Sequence, residues 1–134
     1  MKAILYTDGG SRGNPGHSAI GALLFDEKGM LLDFASEYIG IMTNNQAEYK
    51  ALILGLEMAT KNGVSELVCY LDSELVVKQL TGLYKIKDEG IKSASAIIGK
   101  LKADFKSVEF FHVMRERNKF ADKLVNLILD ARGK

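Results

Sequence analysis

The chain lacks the features that mark several classes of protein. Its 134 residues include one cysteine and no tryptophan, so a disulfide framework within one chain is excluded. No long apolar stretch occurs near the N-terminus, because the first apolar run is interrupted at once by Asp8 and a glycine cluster. We therefore expect neither a signal peptide nor a membrane span, and we expect a cytoplasmic protein with no membrane partner.

The chain also lacks a strong excess of charge. Its formal net charge is +1, so any attraction to a polyanion must come from a local basic patch. With 47% hydrophobic and 26% charged residues, the composition fits one domain over residues 1–134, and no linker or repeat divides it. We expect a monomer. Cys69 lies in an apolar run, which favours a buried structural thiol over a nucleophile or metal ligand.

Hydrophobic patterning predicts strands first and alternating elements afterwards. Residues 3–7, 19–25 and 31–39 fit an antiparallel meander, with a glycine-rich loop at residues 9–16. Thr43 and Gln46 form a capping-box pattern, so a helix should begin near Asn44 and run to about Lys61. The remaining predicted elements are a strand at 66–71, a short helix ending near 81–82, a helix at 91–105, a strand at 108–113 and a helix at 118–132. This order predicts an α/β fold with one mixed sheet flanked by helices.

Four acidic residues stand in distinctive contexts: Asp8 in YTDGGSRGNPG, Glu48 in TNNQAEYKALILGL, Asp72 in VCYLDSELVVKQL and Asp122 in HVMRERNKFADKLVN. Each also has an ordinary structural interpretation. Asp8 could form a turn at a strand end, and Asp72 could be the N-cap of the next helix. Glu48 and Asp122 could be acids in the first turn of a helix, where the helix dipole favours them.

Considered together, the four carboxylates favour a shared site. Asp8 and Asp72 would follow adjacent parallel strands, at the sheet edge where α/β proteins place their sites. Carboxylates that converge repel one another, and divalent cations relieve this repulsion. In order, flanking residues and spacing, the chain resembles the type 1 ribonuclease H family from about Ala3 to about Leu129.

The resemblance implies a ribonuclease H-like fold, with five strands in the order 3-2-1-4-5 and strands 1 to 3 antiparallel. It also implies an endonuclease that hydrolyses the RNA strand of RNA/DNA hybrids and leaves a 5′ phosphate and a 3′ hydroxyl. Asp8, Glu48, Asp72 and Asp122 would bind two Mg²⁺ ions about 3.5–4 Å apart, for which Mn²⁺ would substitute in part. One ion would activate water and the other would stabilise the leaving 3′ oxygen.

Recognition of RNA requires polar groups that face a 2′ hydroxyl. Asn14, Asn44, Asn45 and Gln46 are candidates, and residues 9–16 could bring backbone amides close to a ribose. This loop is not a Walker loop, because it lacks the terminal Gly-Lys-Ser/Thr. Thr43 resembles a family position that contacts a DNA-strand phosphate, although capping of the helix explains it equally well.

One segment departs from the family pattern. Many bacterial relatives carry a basic, tryptophan-rich protrusion where this chain has only a short stretch with Tyr84, Lys85 and Lys87. These three residues could form a reduced substrate contact, or the stretch could be a solvated loop. We expect weaker binding of hybrids than in relatives with the protrusion, because fewer phosphates are neutralised.

In many relatives, a histidine in the loop before the last acidic residue assists proton transfer or product release. In this chain, the stretch before Asp122 offers two candidates for that role, His112 and Arg115. His112 ends an apolar run and suits a structural role, whereas Arg115 suits a loop that faces the cleaved phosphate. We favour Arg115, which stays charged and would stabilise phosphate charge rather than shuttle protons. His17 fits a surface turn.

Three other functions remain open at this level. The chain could be another nuclease of the superfamily, such as a junction resolvase or an integrase-like domain. It could also be a non-catalytic hybrid-binding module or an acid-rich metal-binding protein. The Asn44-Asn45-Gln46 segment favours reading of an RNA strand, and none of the four expected metal ligands is missing.

Overall fold

A computed structural model describes residues 1–134. Its centre is a five-stranded sheet formed by β1 (Lys2–Gly13), β2 (Gly16–Asp26), β3 (Leu31–Met42), β4 (Glu66–Leu71) and β5 (Ser107–His112). The strand order is β3-β2-β1-β4-β5. β1 to β3 pair antiparallel, whereas β1 with β4 and β4 with β5 pair parallel. The predicted mixed sheet and its strand order are confirmed.

Four helices flank the sheet: α1 (Asn44–Lys61), α2 (Glu74–Leu80), α3 (Glu89–Lys102) and α4 (Lys119–Ala131). The predicted capping box at the start of α1 is present, because the Thr43 side chain accepts from the Gln46 amide at 3.1 Å. The Thr43 amide in turn donates to Gln46 Oε1 at 2.9 Å. These two bonds satisfy backbone amides at the helix end and so fix where α1 begins. The start of α1 in turn determines where Glu48 lies relative to the sheet.

The helices cover the two faces of the sheet unequally. Leu5 of β1 packs with Leu52 and Leu56 of α1 in the main core, to which α3 also contributes. On the other face α4 packs across β1, β2 and β3, with Val125 and Leu129 against Ala19. Gly21 allows this close packing, since a Cβ there would lie 2.9 Å from Leu124 Cβ. α4 is thereby held against the strand that pairs with Asp8.

The glycine-rich segment is not the loop that we predicted. β1 continues to Gly13 and pairs with β2 up to Gly16, so only Asn14 and Pro15 connect the two strands. Gly9 is required for close approach rather than for a turn. A Cβ on Gly9 would collide with the backbone of Ala47 and would lie 2.6 Å from the Glu48 amide nitrogen.

Smaller differences concern the ends of elements in the second half. α3 begins two residues before the predicted start, because Asp88 Oδ1 accepts from the Ile91 amide at 2.9 Å and caps the helix. A short 3-10 helix, Arg115–Arg117, precedes α4 and was not predicted. α4 itself begins at Lys119, with Asn118 as its N-cap residue.

Cys69 is a free and fully buried thiol. Burial raises its pKa well above the ordinary value, which suits the predicted structural role and disfavours a nucleophile.

None of the helices combines the length and the apolar composition needed to cross a lipid bilayer.

Candidate active site

Two of the acidic residues leave neighbouring parallel strands at the same level. The parallel pairing of β1 with β4 ends at Thr7 opposite Leu71, so Asp8 and Asp72 follow directly, side by side. β4 ends there, but β1 continues along β2, with Asp8 opposite Gly21. Asp8 is therefore not at a strand end, and the turn interpretation does not apply to it.

Asp72 is not the helix cap that its position also allowed. The N-cap of α2 is Ser73, whose hydroxyl accepts from the Val76 amide at 3.3 Å. The Asp72 carboxylate is consequently not used for capping. It accepts a bond of 3.2 Å from the side chain of Asn118.

Glu48 reaches the same place from α1. It lies beyond the first turn of the helix, which contains no acidic residue, so the expectation of a first-turn acid was wrong. Its side chain is buried, with 6% exposure, and it accepts a bond of 2.5 Å from the Gly9 amide. Burying a carboxylate is energetically costly, and this favours a functional role for Glu48.

Asp8, Glu48 and Asp72 form one cluster in which their ligand oxygens all lie within 4.8 Å of one another. The cluster opens into a cavity of about 480 Å³ with predominantly polar walls. Asp122, from the first turn of α4, lines the same cavity but is not part of the three-residue cluster. The fold thus brings all four carboxylates to one cavity, three of them into direct proximity.

The cluster is electrostatically strained. Burial raises the pKa of Asp8, and the charges of Glu48 and Asp72 raise it further, to about 10. Burial also raises the pKa of Glu48, to about 7, together with the charge of Asp72, while the bond from Gly9 opposes the rise. Each ionised carboxylate disfavours ionisation of its neighbours, so a bound cation would relieve the repulsion within the cluster.

The donor set fits a divalent cation. Hard cations such as Mg²⁺ prefer carboxylate oxygens, and three such ligands from Asp8, Glu48 and Asp72 lie within 4.8 Å of one another. Asp122 is available as a fourth from the cavity wall. The cluster is consistent with use of a divalent metal.

Of the two candidates before α4, Arg115 is the one that the fold brings to the cavity. It lies in the 3-10 helix, is exposed, and lines the cavity with the carboxylates. Its positive charge is close enough to lower the pKa of Glu48. His112 ends β5, is exposed, and is not among the cavity-lining residues. His17 lies in β2 rather than in a turn, and its Nδ1 is 2.7 Å from the Tyr38 hydroxyl.

The asparagines predicted to read RNA form a connected rim. Asn14 Oδ1 accepts from the Asn44 amide at 3.0 Å, and Asn44 Oδ1 accepts from the Ser11 amide at 2.9 Å. Asn44 and Asn45 line the cavity. The β1–β2 hairpin and the start of α1 are therefore joined beside the carboxylates.

Thr43 and Gln46 lie just behind this rim. Both are used in the capping box of α1, and neither is among the residues that line the cavity. Gln46 Oε1 accepts from the Thr43 amide, and its amide NH₂ group remains available for a ligand.

Tyr84, Lys85 and Lys87 lie on the irregular segment between α2 and α3, away from the cavity lining. All three are exposed. Tyr84 is held by Lys78, whose Nζ lies 3.4 Å from the hydroxyl and 5.1 Å from the ring centroid.

Several residues around the carboxylates were not anticipated. Arg12, Ser73 and Asn126 line the cavity, and Asn118 contacts Asp72 directly. A signal existed for one of them, because Asn126 stands four residues after Asp122 and so shares its face of α4. Arg12 gave no signal, since only pairing of the hairpin brings it near α4, where it forms an ion pair of 2.7 Å with Asp130.

Comparison with known proteins agrees with this geometry. Residues 6–128 match the family model described as reverse transcriptase-like. The ribonuclease HI of Halobacterium salinarum is 41% identical over 125 residues, which cover 93% of this chain and 63% of the relative. The bifunctional protein Rv2228c of Mycobacterium tuberculosis is 39% identical over 98% of this chain and 36% of its own length. The chain thus spans only part of these curated relatives.

Solved structures resemble the fold closely. The crystal structure of RNase H1 from Halobacterium salinarum has a TM-score of 0.95 at 39% identity, with 98% of this chain and 99% of that chain covered. LC11-RNase H1, solved in complex with an RNA/DNA hybrid, has a TM-score of 0.94 at 43% identity, with the same coverage. The chain belongs to the type 1 ribonuclease H family.

Proposed function

We propose that this protein is an endonuclease that hydrolyses the RNA strand of RNA/DNA hybrids, leaving a 5′ phosphate and a 3′ hydroxyl. The observation that carries the proposal is the cluster of Asp8, Glu48 and Asp72, with ligand oxygens within 4.8 Å of one another. The cluster shares its cavity with Asp122 and Arg115. The similarity to a ribonuclease HI and to an RNase H1 solved with a hybrid supports this choice of substrate.

The cofactor in this proposal is Mg²⁺, two ions per site, with partial replacement by Mn²⁺. Asp8, Glu48, Asp72 and Asp122 would hold the ions. When bound, the cations would supply activation of the attacking water and neutralisation of charge at the leaving 3′ oxygen.

The remaining residues of the site would bind and orient the substrate. Arg115 would stabilise the charge of the cleaved phosphate, since its guanidinium is cationic at any working pH. Asn14, Asn44 and Asn45 would face the 2′ hydroxyls, which distinguish RNA from DNA. Gln46 would contribute its free amide group, and Thr43 would combine capping with contact to a DNA-strand phosphate. Tyr84, Lys85 and Lys87 would add an outer contact to the backbone.

We also propose that residues 1–134 form a single catalytic domain that acts as a monomer in the cytoplasm. In support, the strands, helices and connecting segments of this one chain provide every residue proposed for the site, so no second chain is needed to complete it.

The test is cleavage of an end-labelled RNA/DNA hybrid by the wild type and by Asp72→Asn, with and without Mg²⁺. We expect cleavage of the RNA strand only, dependent on the cation, and a loss of at least about 10³-fold on substitution, comparable to removal of a central catalytic group. Undiminished cleavage by Asp72→Asn would disprove the site assignment.

Two further substrates separate the rival nuclease functions. Preferential cleavage of a four-way junction would indicate a resolvase, and cleavage of duplex DNA would indicate an integrase-like enzyme. Hybrid binding without cleavage in Mg²⁺ would indicate a binding module.

A further inference from the structure

Asn118 occupies an unusual position between three parts of the site. It is almost completely buried, with 1% exposure. Its Nδ2 donates to the Thr7 carbonyl at 2.8 Å and to Asp72 Oδ2 at 3.2 Å. Its own backbone carbonyl accepts from the Asp122 amide at 3.1 Å. One residue therefore contacts the strand before Asp8, the Asp72 carboxylate and the turn that carries Asp122.

The orientation of the Asn118 amide is determined by its neighbours. Both groups that face Nδ2 are acceptors, so only the NH₂ end of the amide can satisfy them. Oδ1, at the opposite end of the Asn118 amide, is the one buried side-chain polar atom without a hydrogen-bond partner in the protein. Leaving a buried acceptor unpaired is unfavourable, so the contacts of Nδ2 with Thr7 and Asp72 determine how the amide is oriented.

The Asn118 side chain does not cap α4, although its position allows this. It is the N-cap residue, yet its side chain makes no capping bond. Asparagine at this position normally accepts from the second or third helical amide and so stabilises the helix. The side chain instead points back to β1 and Asp72.

We infer that Asn118 is a positioning residue, which holds the Asp72 carboxylate in place and fixes the start of α4, and with it Asp122, against the strand that carries Asp8. The inference rests on the proposed function insofar as these carboxylates bind cations. Residues of this kind, which orient metal ligands without touching the metal, typically contribute a factor of about 10–100 to metal affinity.

Asn62 offers a matched control. Its Nδ2 also donates to a carboxylate and a backbone carbonyl, Asp33 Oδ2 at 2.9 Å and Met58 O at 2.8 Å, but it lies at the far end of α1. Asn62→Ala removes the same kinds of bond outside the site. Asn118→Leu keeps the approximate volume of the side chain and removes the donor without adding charge, so it separates hydrogen bonding from packing.

The experiment measures Mg²⁺ and Mn²⁺ binding without substrate by titration calorimetry, and kcat and KM on the hybrid. We expect Asn118→Ala and Asn118→Leu to weaken cation binding about tenfold or more and to lower kcat with little change in KM. Asn62→Ala should leave cation affinity and kcat unchanged. Cation affinity within about twofold of wild type in both Asn118 variants would overturn the inference, as would failure of both variants to fold.

A second measurement needs neither cation nor substrate. Urea unfolding in EDTA of Asn118→Ala, Asp72→Ala and the double variant gives the coupling between the two residues. We expect clear non-additivity, and additive effects would contradict direct positioning of Asp72. A wild type that binds cations but does not cleave hybrids would refute the proposed function and leave this inference intact.

Discussion

The amide of Gly9 donates a hydrogen bond of 2.5 Å to the carboxylate of Glu48, joining β1 to α1 at the residue that follows Asp8. The bond is formed because the two backbones are in contact at Gly9, where a side chain would collide with Ala47. Burial and proximity to Asp72 raise the pKa of Glu48, and this bond works against the rise. Packing of a helix on a strand thus also sets the electrostatics of the site.

Gly9→Ala should be strongly destabilising because α1 must move away from β1. We expect a loss of about 2–4 kcal/mol in the free energy of unfolding, in the range of overpacked core sites, and severe loss of cleavage. Urea denaturation measures the first effect.

Gly99→Ala is the control for that substitution. Gly99 lies inside α3 and a Cβ there would meet nothing within 4 Å, so alanine should stabilise the protein by about 0.5–1 kcal/mol. Equal stabilities of the two variants would show that the close approach at Gly9 is not required.

The stability of the metal-free protein should fall as pH rises. The pKa of Asp8 is raised from 3.8 to about 10 and that of Glu48 from 4.5 to about 7, so the folded state binds these protons more tightly than the unfolded state. The stabilisation is therefore fully present below about pH 4 and is lost as pH rises through these higher values. Between about pH 5.5 and pH 8.5 we therefore expect a progressive loss of stability in EDTA, measured by urea unfolding.

Asp8→Asn tests the origin of that pH dependence. The substitution removes the group whose pKa is raised most, so the metal-free variant should be more stable than wild type above neutral pH and should show a shallower decline. Addition of Mg²⁺ should stabilise the wild type more than this variant. An unchanged pH profile in Asp8→Asn would assign the effect to other groups.

Arg115→Ala should lower kcat by about 10²-fold, the usual effect of removing one group that stabilises developing charge. Arg115→Lys should recover part of the loss, because charge returns without the planar guanidinium. His112→Ala, which lies outside the cavity lining, is the comparison in steady-state kinetics. Wild-type turnover in Arg115→Ala would remove Arg115 from the mechanism.

The segment between α2 and α3 should contribute to the salt dependence of hybrid binding. The double variant Lys85→Ala, Lys87→Ala should reduce the slope of log affinity against log salt by about 1–2, one for each lost phosphate contact. Fluorescence anisotropy with a labelled hybrid in Ca²⁺ measures the slope without cleavage.

Lys28→Ala, Lys106→Ala provides a double variant of equal charge. Lys28 lies in the turn between β2 and β3 and Lys106 directly precedes β5, both at the end of the sheet opposite Asp72. For this double variant, the slope of log affinity against log salt should match that of the wild type. The same reduction in both double variants would show that only net charge matters.

Local patterns were sufficient for most of the elements and for their order. The capping box at Thr43 and Gln46 fixed the start of α1 because its bonds are made between residues three apart. The strand at Glu66–Leu71 was also predicted with its observed bounds. The glycine-rich segment was misjudged, because its extension of β1 depends on pairing with β2. Likewise, the first-turn interpretation of Glu48 failed by about one residue, since Glu48 is the fifth residue of α1.

By itself, the sequence determined which four carboxylates belong together, because the residues that surround each of them form a local pattern. Only the tertiary structure decided how they meet: Asp8, Glu48 and Asp72 in one tight cluster, with Asp122 beside it on the cavity wall. It also revealed Asn118, whose bonds to Thr7 and Asp72 span 111 and 46 residues. Contacts of such range are created by strand pairing and helix packing, so no local pattern encodes them.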